Sequence, residues 1–405
     1  MKRFLTLLFS AAFLVACQSG DNPWSGSLLS LTVEATLPDT LPEGGNVGAT
    51  VSVEEISSGA RYKKETGSDG TAVFSLQSGI YRISVNNRIG RTVYNASADK
   101  IRVTEDRRLA LALSISEAGT LVVKELYTSG CSKAPEEGTY QSDQYVILHN
   151  NDDRTVYLDS LCFGTLSPYN STAVNSWLVD DSETGSKTFP DFVPVVTVVW
   201  KFPGDGSTYP LEPGEDALIA LRGAIDHSAA YPLSVNLNRS DCFVCYNSTL
   251  FPNTVYHPAP GDQIRQDHIL EVLVKTGQSN ANTISLSSPT FVIFKSKGIA
   301  MEDYILLPGV VQSAPGNTAD RAVTVPYDWL LDAVEVFDGR SSNNSKRLAP
   351  AADAGFVVLT DVFKSHSIIR NIDEEATRQC GYEILVDTNN SSNDFYESEI
   401  PSLRR

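Results

Sequence analysis

The chain has little positive charge to offer a polyanion. Its 405 residues include 32 lysines and arginines against 49 aspartates and glutamates, for a net charge of −17. Nucleic-acid binding depends on clustered basic side chains that displace counterions, and the sequence contains no such cluster. We therefore expect no nucleic-acid partner. An acidic balance of this kind helps to keep an exposed protein soluble.

The sequence also lacks an apolar run long enough to cross a bilayer, which needs about 20 residues. The longest apolar stretch after residue 17 runs only from Val193 to Trp200. Lys2 and Arg3 precede a short apolar run, residues 4–16, which is typical of an export signal. We predict a signal peptide over residues 1–16 and a flexible tether over residues 17–27.

Residues 14–17, Leu-Val-Ala-Cys, match a bacterial lipobox, so Cys17 is predicted to become the lipid-bearing N-terminus. A secretory signal with an incidental cysteine is the alternative. Gln18 and Ser19 follow, in place of the aspartate that commonly retains lipoproteins at the inner membrane. We expect a lipid anchor at the outer membrane, and the periplasmic and cell-surface faces both remain open.

Familiar catalytic motifs are absent as well. The sequence contains no H-E-x-x-H, no G-x-S-x-G, no G-x-x-x-x-G-K-[ST] and no strand-linked G-x-G-x-x-G. Its five histidines, at positions 149, 227, 257, 268 and 366, are scattered. We predict a non-enzymatic protein without a cofactor. A pair of carboxylates for glycoside hydrolysis leaves no local motif, so a surface polysaccharide hydrolase stays open as an alternative.

Apolar residues at every second position dominate the first part of the chain. Examples are Leu29-Leu31-Val33, Ala72-Phe74-Leu76 and Tyr81-Ile83-Val85, with turn residues such as Ser68-Asp69-Gly70 between such runs. This pattern predicts an all-β protein whose first domain, residues 28–118, is a β-sandwich. Residues 66–74 and 79–83 resemble carboxypeptidase regulatory-like, transthyretin-like domains. That resemblance implies a non-catalytic spacer or adhesive module.

Residues 119–405 are predicted to form a second, larger β-sandwich. Several segments resemble the lamin-tail domain, an immunoglobulin-like sandwich: residues 124–127, 144–151, 155–161, 211–215, 331–335, 387–391 and 394–395. Residues 144–151 and 155–161 are predicted to form a hairpin. A compact domain of that family is much shorter, so we expect long insertions, including residues 209–213 and 226–296. The whole chain resembles an uncharacterised family of Gram-negative surface lipoproteins. The resemblance implies location and architecture, and it favours an interaction role.

Five cysteines remain once Cys17 carries lipid. Cys131 and Cys162 flank the predicted hairpin and are our choice for a disulfide, with five buried, unpaired thiols as the alternative. Cys242 and Cys245 have the spacing of half a zinc site, followed by His257 and His268. These histidines are too far apart for a classical zinc finger, so no metal is expected.

Two acidic loops offer oxygen ligands but depart from the calcium-loop template. They are residues 387–394 and 180–185, and we expect a self-bonded turn and a solvated connection rather than cation sites. Exposed aromatic rings could instead form a ligand platform, with burial in the core as the alternative. The candidates are Trp177, Trp200, Tyr209, Tyr231 and Tyr246.

Together these features predict a lipid-anchored binding or structural protein that presents a ligand- or partner-binding surface at the outer membrane. A nutrient-uptake accessory is the leading hypothesis, with an outer-membrane transporter or a glycan as partner. The hydrolase alternative predicts an acidic cleft with two carboxylates at catalytic separation. An adhesin or assembly subunit predicts a flat or edge-strand interface.

Overall fold

The computed structural model describes residues 28–38, 44–182 and 185–405, with nothing said of the side chains of residues 317–320. The signal peptide, the tether and the predicted lipid-attachment residue, Cys17, lie outside these ranges. Strands make up nearly all the regular structure, so the all-β prediction is confirmed. In the described part of the chain, no helix combines the length and the apolarity needed to cross a bilayer.

The first unit is built from two sheets. Its strands are β1 Leu29–Thr36, β2 Thr50–Glu55, β3 Arg61–Glu65, β4 Thr71–Leu76, β5 Gly79–Ile89, β6 Thr92–Val103, β7 Arg107–Ala112 and β8 Ser114–Glu117. A three-stranded sheet has the order β4-β1-β7, and a five-stranded sheet has the order β3-β2-β5-β6-β8. Leu31, Val51, Phe74, Tyr81 and Val85 belong to one buried cluster, as the period of two in the sequence predicts.

The larger unit begins at β9, and three short helices accompany its strands. The strands are β9 Leu121–Tyr127, β10 Cys131–Ser132, β11 Thr139–Tyr140, β12 Tyr145–Asn150, β13 Val156–Tyr157, β14 Cys162–Thr165, β15 Val179–Asp180, β16 Lys187–Thr188, β17 Phe192–Lys201, β18 Pro210–Leu211, β19 Asp216–Ala220, β20 Cys242–Val244, β21 Glu271–Lys275, β22 Thr290–Phe294, β23 Val311–Ala314, β24 Asn317–Pro326, β25 Leu330–Asp338, β26 Val357–Leu359, β27 Ser367–Arg370 and β28 Phe395–Ser398. The helices are α1 Met301–Tyr304, α2 Glu374–Cys380 and α3 Ser391–Asp394.

Two large sheets enclose the main core. One has six strands in the order β20-β19-β12-β9-β27-β28, and the other has β23-β24-β17-β14-β22-β25-β26 with β21 beside β17. Leu126, Val146, Phe163, Trp200 and Phe291 are among the side chains buried in this core. Because both sheets contribute alternate residues to it, the larger unit is also a β-sandwich.

The predicted hairpin over residues 144–161 is wrong. β12 pairs with β9 and β19, whereas β13 pairs with β18, so the chain leaves the sheet after Asn150. Asn150 donates its side-chain amide to the Leu211 carbonyl at 2.7 Å. The local pattern identified a strand correctly but could not identify its partner, because strand pairing is decided by contacts distant in sequence.

One loop of the larger unit, residues 387–394, joins the two units. The Nδ2 atoms of Asn86 and Asn95 donate to the Thr388 carbonyl at 3.0 and 2.9 Å. Arg88 Nη1 donates to the Asp387 carbonyl at 3.0 Å. The outer surface of the five-stranded sheet is therefore attached to the larger unit by backbone carbonyls that would otherwise lack donors.

Candidate functional site

A groove of about 670 Å³ opens in the region where the sequence predicts insertions. It lies where β18, the start of β19 and β20 meet the short 3-10 turn Gln266–His268. Tyr209, Phe243 and His268 contribute aromatic rings, and Asp241 and Asp267 contribute carboxylates. We call this feature the His268 groove.

Two matching turns form one rim of the groove. In the first, Arg239-Ser240-Asp241, the Cys242 amide donates to the Arg239 carbonyl at 3.1 Å. In the second, Arg265-Gln266-Asp267, the His268 amide donates to the Arg265 carbonyl, also at 3.1 Å. Both turns thus have the same backbone hydrogen bond, and in each an arginine and an aspartate stand two residues apart.

Each arginine donates two hydrogen bonds to the carboxylate of its aspartate. Nε and Nη2 of Arg239 lie 2.9 and 2.6 Å from the two carboxylate oxygens of Asp241. The corresponding distances from Arg265 to Asp267 are 3.0 and 2.5 Å. These bonds lower the pKa of both carboxyl groups below the usual value, so Asp241 and Asp267 are ionised at neutral pH.

Parallel chain segments hold the two turns side by side. Val244 at the end of β20 forms a parallel bridge with Ile269, and the Leu270 amide donates to the Val244 carbonyl at 2.9 Å. Each turn immediately precedes one of these paired segments, so the pairing places the two turns next to each other. Backbone pairing after the turns therefore holds the two chain segments next to each other.

Stacked rings line the base of the groove. The His268 ring lies 4.1 Å from the Phe243 ring with only 11° between their planes. Tyr209 meets Phe243 nearly edge-on, at 5.4 Å and 80°, and its hydroxyl donates to the Asp267 carbonyl at 2.6 Å. This packing fixes the orientation of the imidazole.

His268 keeps one ring nitrogen available. Its Nδ1 lies 3.3 Å from the Cys242 carbonyl oxygen, which can only accept, so Nδ1 carries the proton. Burial lowers the pKa of His268, and the neutral ring therefore has a lone pair on Nε2. Within the described ranges Nε2 has no hydrogen-bond partner, although the residue is only 7% exposed. His268 lines the groove, and its Nε2 is not among the buried atoms that lack a partner in the described residues, so this acceptor is open to solvent.

A second polar cluster, beside the groove, has the composition of a metal site but not its chemistry. His149, Asp216 and Glu383 bring three ligand atoms close together. Lys124 Nζ, however, lies 2.7 Å from Asp216 and 2.5 Å from Glu383. His149 uses Nδ1 on Asp216 and Nε2 on the Glu383 carbonyl, at 2.7 and 2.9 Å. The Lys124 ammonium group already neutralises the carboxylates that would bind a metal ion. The cluster is therefore a structural network of ion pairs and hydrogen bonds.

The half zinc site suggested by Cys242 and Cys245 does not assemble. The two thiols lie in different buried clusters, on opposite faces of the β20 segment. Side chains alternate between the two faces of an extended chain, so residues three positions apart point to opposite faces. His257 accepts from the Asn247 amide through Nε2 at 3.1 Å. Burial raises the pKa of Cys242 to about 12, so this thiol stays protonated.

The expected disulfide between Cys131 and Cys162 is corrected by the structure, in which both thiols are free and buried. Cys162 begins β14 and packs in the cluster outside the eight-stranded sheet, whereas Cys131 lies on β10, paired with Tyr140. Burial raises the pKa of each thiol to about 12. The predicted hairpin that placed them together does not form.

The two calcium-like loops have other partners. Asp387 and Asp394 both face Arg370, at 3.2 and 3.6 Å, and the side chain of Asn390 caps α3. In the other loop Asp180 is exposed and pairs with Lys187 at 3.0 Å, while residues 183 and 184 lie outside the described ranges. The first loop is a self-bonded turn, as expected.

Of the five aromatic candidates, the groove uses Tyr209. Trp177 and Trp200 are 2% and 1% exposed and belong to the core, which was the alternative interpretation. Tyr231 packs on Tyr140, with ring centres 4.4 Å apart, and Tyr246 stacks on His257.

Sequence reasoning considered His268 only as a metal ligand and missed the two Arg-x-Asp turns. Their repetition before an apolar segment was the available signal.

A second cavity, of about 250 Å³, lies between the two units. Its central Arg82 pairs with Asp99 at 2.9 Å and packs over the Phe356 ring at 4.7 Å. Lys346 is paired with the buried Glu335, and Arg61 with Glu54. The charges of this cavity are thus largely satisfied within the protein, and we regard it as part of the junction.

Comparison with known proteins relates the chain to a family of unknown function. A DUF4876 family protein of known structure from Bacteroides thetaiotaomicron VPI-5482 is similar over 93% of this chain and 97% of its own, with a TM-score of 0.58 and 23% identity. A DUF3823 family protein from Parabacteroides merdae ATCC 43184 has a TM-score of only 0.18, with 12% identity over 44% of this chain and 82% of its own. No curated protein matches the chain. Residues 212–402, which include β20 and both Arg-x-Asp turns, match the family model described as a protein of unknown function, DUF4876.

Proposed function

We propose that this protein is a non-enzymatic binding protein of the cell envelope and that the His268 groove is its ligand-binding site. The observation that carries the proposal is the concave lining of the groove, in which the rings of Tyr209, Phe243 and His268 pack together beside the arginine–aspartate pairs. Ligand sites in proteins are typically concave and combine aromatic surface with a few fixed polar groups, as this groove does.

In this proposal, the lipid anchor places the groove at the outer membrane, where its ligand is found. The lipobox sequence supports attachment through Cys17 at the outer membrane, and the first sandwich then acts as a spacer. The junction loop, residues 387–394, holds the spacer and the binding unit together. An accessory to nutrient uptake, docked on an outer-membrane transporter or capturing a glycan, is the role that we propose.

The groove chemistry argues against the hydrolase alternative. A glycosidase needs one carboxylic acid whose pKa is raised, so that it can protonate the leaving group. Asp241 and Asp267 have the opposite perturbation, because their arginine partners favour the ionised form. These two residues are suited to accepting hydrogen bonds rather than donating a proton.

Photocrosslinking in the native membrane tests this proposal. A photoreactive residue replaces Ser240 at the groove rim, and a matched one replaces the exposed Ser58 in the first unit. We expect a specific partner, either a transporter or a glycan, from position 240 and none from position 58. A stoichiometric partner from position 58 alone would place the binding surface elsewhere. Loss of membrane attachment in Cys17→Ala separately tests the anchor.

A further inference from the structure

Three arginines are buried in the described part of the chain, and Arg222 differs from the other two in what surrounds its charge. The exposed fractions of Arg222, Arg347 and Arg370 are 6%, 3% and 1%. Arg370 faces three carboxylates. The side chain of Arg347 donates to four backbone carbonyls, those of Pro168, Tyr169, Thr172 and Lys346. Arg222 forms no ion pair with a described residue, and it donates only to the carbonyls of Asn282 and Gln141, at 3.1 and 3.3 Å.

The guanidinium of Arg222 therefore has donors to spare. A guanidinium carries five N–H groups and keeps its proton in proteins. Nε and one N–H of Nη1 are used by Arg222, so the other N–H of Nη1 and both of Nη2 have no acceptor among the described residues. Nη2 is not one of the fully buried atoms without a partner, so a solute can reach it. Buried charges in proteins are normally paired, and this one is open to an anion from solution.

The groups around Arg222 are donors rather than carboxylates. After burial, which lowers the pKa of Arg222, the strongest electrostatic influences on it are Tyr169 and Tyr256, ahead of the carboxyl group of Asp143. Its Cζ atom lies 5.9 Å from the centre of the Tyr256 ring. The two tyrosines bond to other described residues through backbone atoms, and their hydroxyl groups have no partner there. A phenol hydroxyl can donate to an oxyanion.

Both tyrosines are carried by loops that hydrogen bonds hold in place. Nη2 of Arg347 donates to the Tyr169 carbonyl at 2.8 Å. In the other loop, Oδ1 of Asn253 accepts from the amides of Val255 and Tyr256 at 3.1 and 3.4 Å. The donors are thus positioned before any ligand arrives, which reduces the entropy that binding must cost.

His257, directly after Tyr256, adds a donor without adding a charge. Its Nε2 accepts from the Asn247 amide at 3.1 Å, so Nδ1 carries the proton, and this buried nitrogen has no partner among the described residues. Burial and the nearby charge of Arg222 lower the pKa of His257 to about 4, so the ring is neutral at neutral pH. The region thus has more donors than acceptors, and Arg222 supplies its positive charge.

We infer that Arg222 binds the carboxylate or phosphate group of a ligand, with Tyr256 adding a hydroxyl donor. The planar fork of a guanidinium matches either group. Leu250, Val255 and Tyr256 are 38%, 72% and 40% exposed, so the same loop offers apolar surface to the body of such a ligand. Arg222 follows the end of β19, whereas the His268 groove lies at its start. This second site goes beyond the function proposed above and does not depend on it.

Calorimetric titration of the full-length protein in detergent tests the site, in Tris chloride with about 0.15 M salt to screen the acidic surface. The probes are benzoate, phenyl phosphate and benzamide, which has the shape of benzoate without its charge. Arg222→Gln removes the cation, and Tyr256→Phe removes one hydroxyl from an exposed ring. Tyr396→Phe is the matched control, because Tyr396 on β28 is equally exposed, at 40%. Circular dichroism verifies folding, and Tyr256→Phe tests the site even if Arg222→Gln does not fold.

We expect benzoate, phenyl phosphate or both to bind, and benzamide to bind at least about tenfold more weakly because it lacks the charge. Arg222→Gln should weaken the bound anion about tenfold or more. Tyr256→Phe should weaken it about threefold, the effect of one hydrogen bond, and Tyr396→Phe should leave it unchanged. Tighter binding of benzoate or of phenyl phosphate assigns the site to carboxylates or to phosphates.

Three results would overturn the inference. Equal binding of benzamide and benzoate would mean that apolar surface, not charge, recognises the probe. Wild-type affinity for the anions in either folded variant would place their binding elsewhere. The third is the absence of anion binding at up to about 10 mM, well above the ~1 mM Kd of a weak complex. None of these results bears on the His268 groove, which crosslinking at position 240 tests separately.

Discussion

Nη1 of Arg370 lies 3.2 Å from Oδ1 of Asp387, and both side chains are completely buried. Arg370 is on β27, and Asp387 begins the loop whose carbonyls hold the first unit. Asp332 and Asp394 face the same guanidinium, and burial raises the pKa of both carboxyl groups. One arginine thus anchors the loop on which the junction between the two units depends.

Arg370→Met should destabilise the protein strongly. Removal of one partner leaves buried carboxylates without a cation, and we expect the free energy of unfolding to fall by ~3–5 kcal/mol. Urea denaturation measures the change. Arg61→Met is the control, because this arginine is 68% exposed in its ion pair with Glu54, and its loss should cost at most ~1 kcal/mol. Equal effects of the two substitutions would contradict a structural role for Arg370.

Asn95→Ala should weaken the junction without disturbing either main core. Asn95 is fully buried, and its side chain donates to the Thr388 carbonyl at 2.9 Å. Asn86 still donates to the Thr388 carbonyl, but the substitution removes both bonds of Asn95 to the loop, including the one to the Asn389 carbonyl at 3.2 Å, and should cost ~1–3 kcal/mol. We expect faster limited proteolysis near residues 118–120 and a less cooperative unfolding transition.

The neighbouring Asn87 provides the matched control for this experiment. Its side chain donates to the Gly45 carbonyl at 3.0 Å, within the first unit. Asn87→Ala should therefore lower the stability of that unit while cleavage at the junction stays at the wild-type rate. Accelerated cleavage in both variants would show that Asn95 has no special role at the junction.

Asp143→Asn should remove part of the pH dependence of stability. Asp143 is fully buried, and Tyr127 and Ser234 donate to its Oδ2 at 3.0 and 2.6 Å, while Oδ1 has no partner among the described residues. Burial raises the pKa of this carboxyl group. The folded protein therefore holds the proton more tightly than the unfolded chain does, and its stability falls as pH rises above the unfolded value of ~3.9.

The variant has no proton to lose at this position. Between acidic and neutral pH, we expect thermal denaturation to show a smaller loss of stability for Asp143→Asn than for the wild type. Asp180→Asn, at an exposed ion pair, should retain the wild-type pH profile. A profile for Asp143→Asn that follows the wild type would mean that the carboxyl group is ionised in the fold.

Thiol titration should identify one reactive cysteine in the native protein once Cys17 carries lipid. Cys380 is exposed, whereas Cys131, Cys162, Cys242 and Cys245 are buried. Burial raises the pKa values of these four thiols and so removes the reactive thiolate. Denaturation without reductant should release all five thiols. Recovery of three would instead indicate a disulfide and contradict the structure.

Local patterns predicted the first unit well where one face of a strand is buried. The alternating residues of β1, β4 and β5 lie in its core, and Gly70 takes the left-handed conformation, with φ of +72°, that its predicted turn requires. The strand β3 escaped prediction because all of its residues are exposed at the sheet edge. Without a buried face, a strand carries no apolar alternation.

The groove could be predicted only in part. Tyr209 and His268 were recognised as chemically capable residues, but their partnership depends on β20 running beside residues 269–270. The zinc-like spacing of Cys242 and Cys245 misled because it ignores the side on which each residue of an extended chain points. Spacing indicates ligands only when the conformation between them is known.

The sequence by itself determined the strand content, the acidic charge and the lack of familiar catalytic motifs, because each depends on residue type or short-range order. For the same reason it could predict an export and anchor signal. Tertiary structure decided which strands pair, which thiols stay apart and which carboxylates gain an arginine. It also left one nitrogen of His268 open in a groove. These outcomes depend on contacts between residues distant in the chain, where burial and hydrogen bonding, rather than residue identity, set the chemistry of each group.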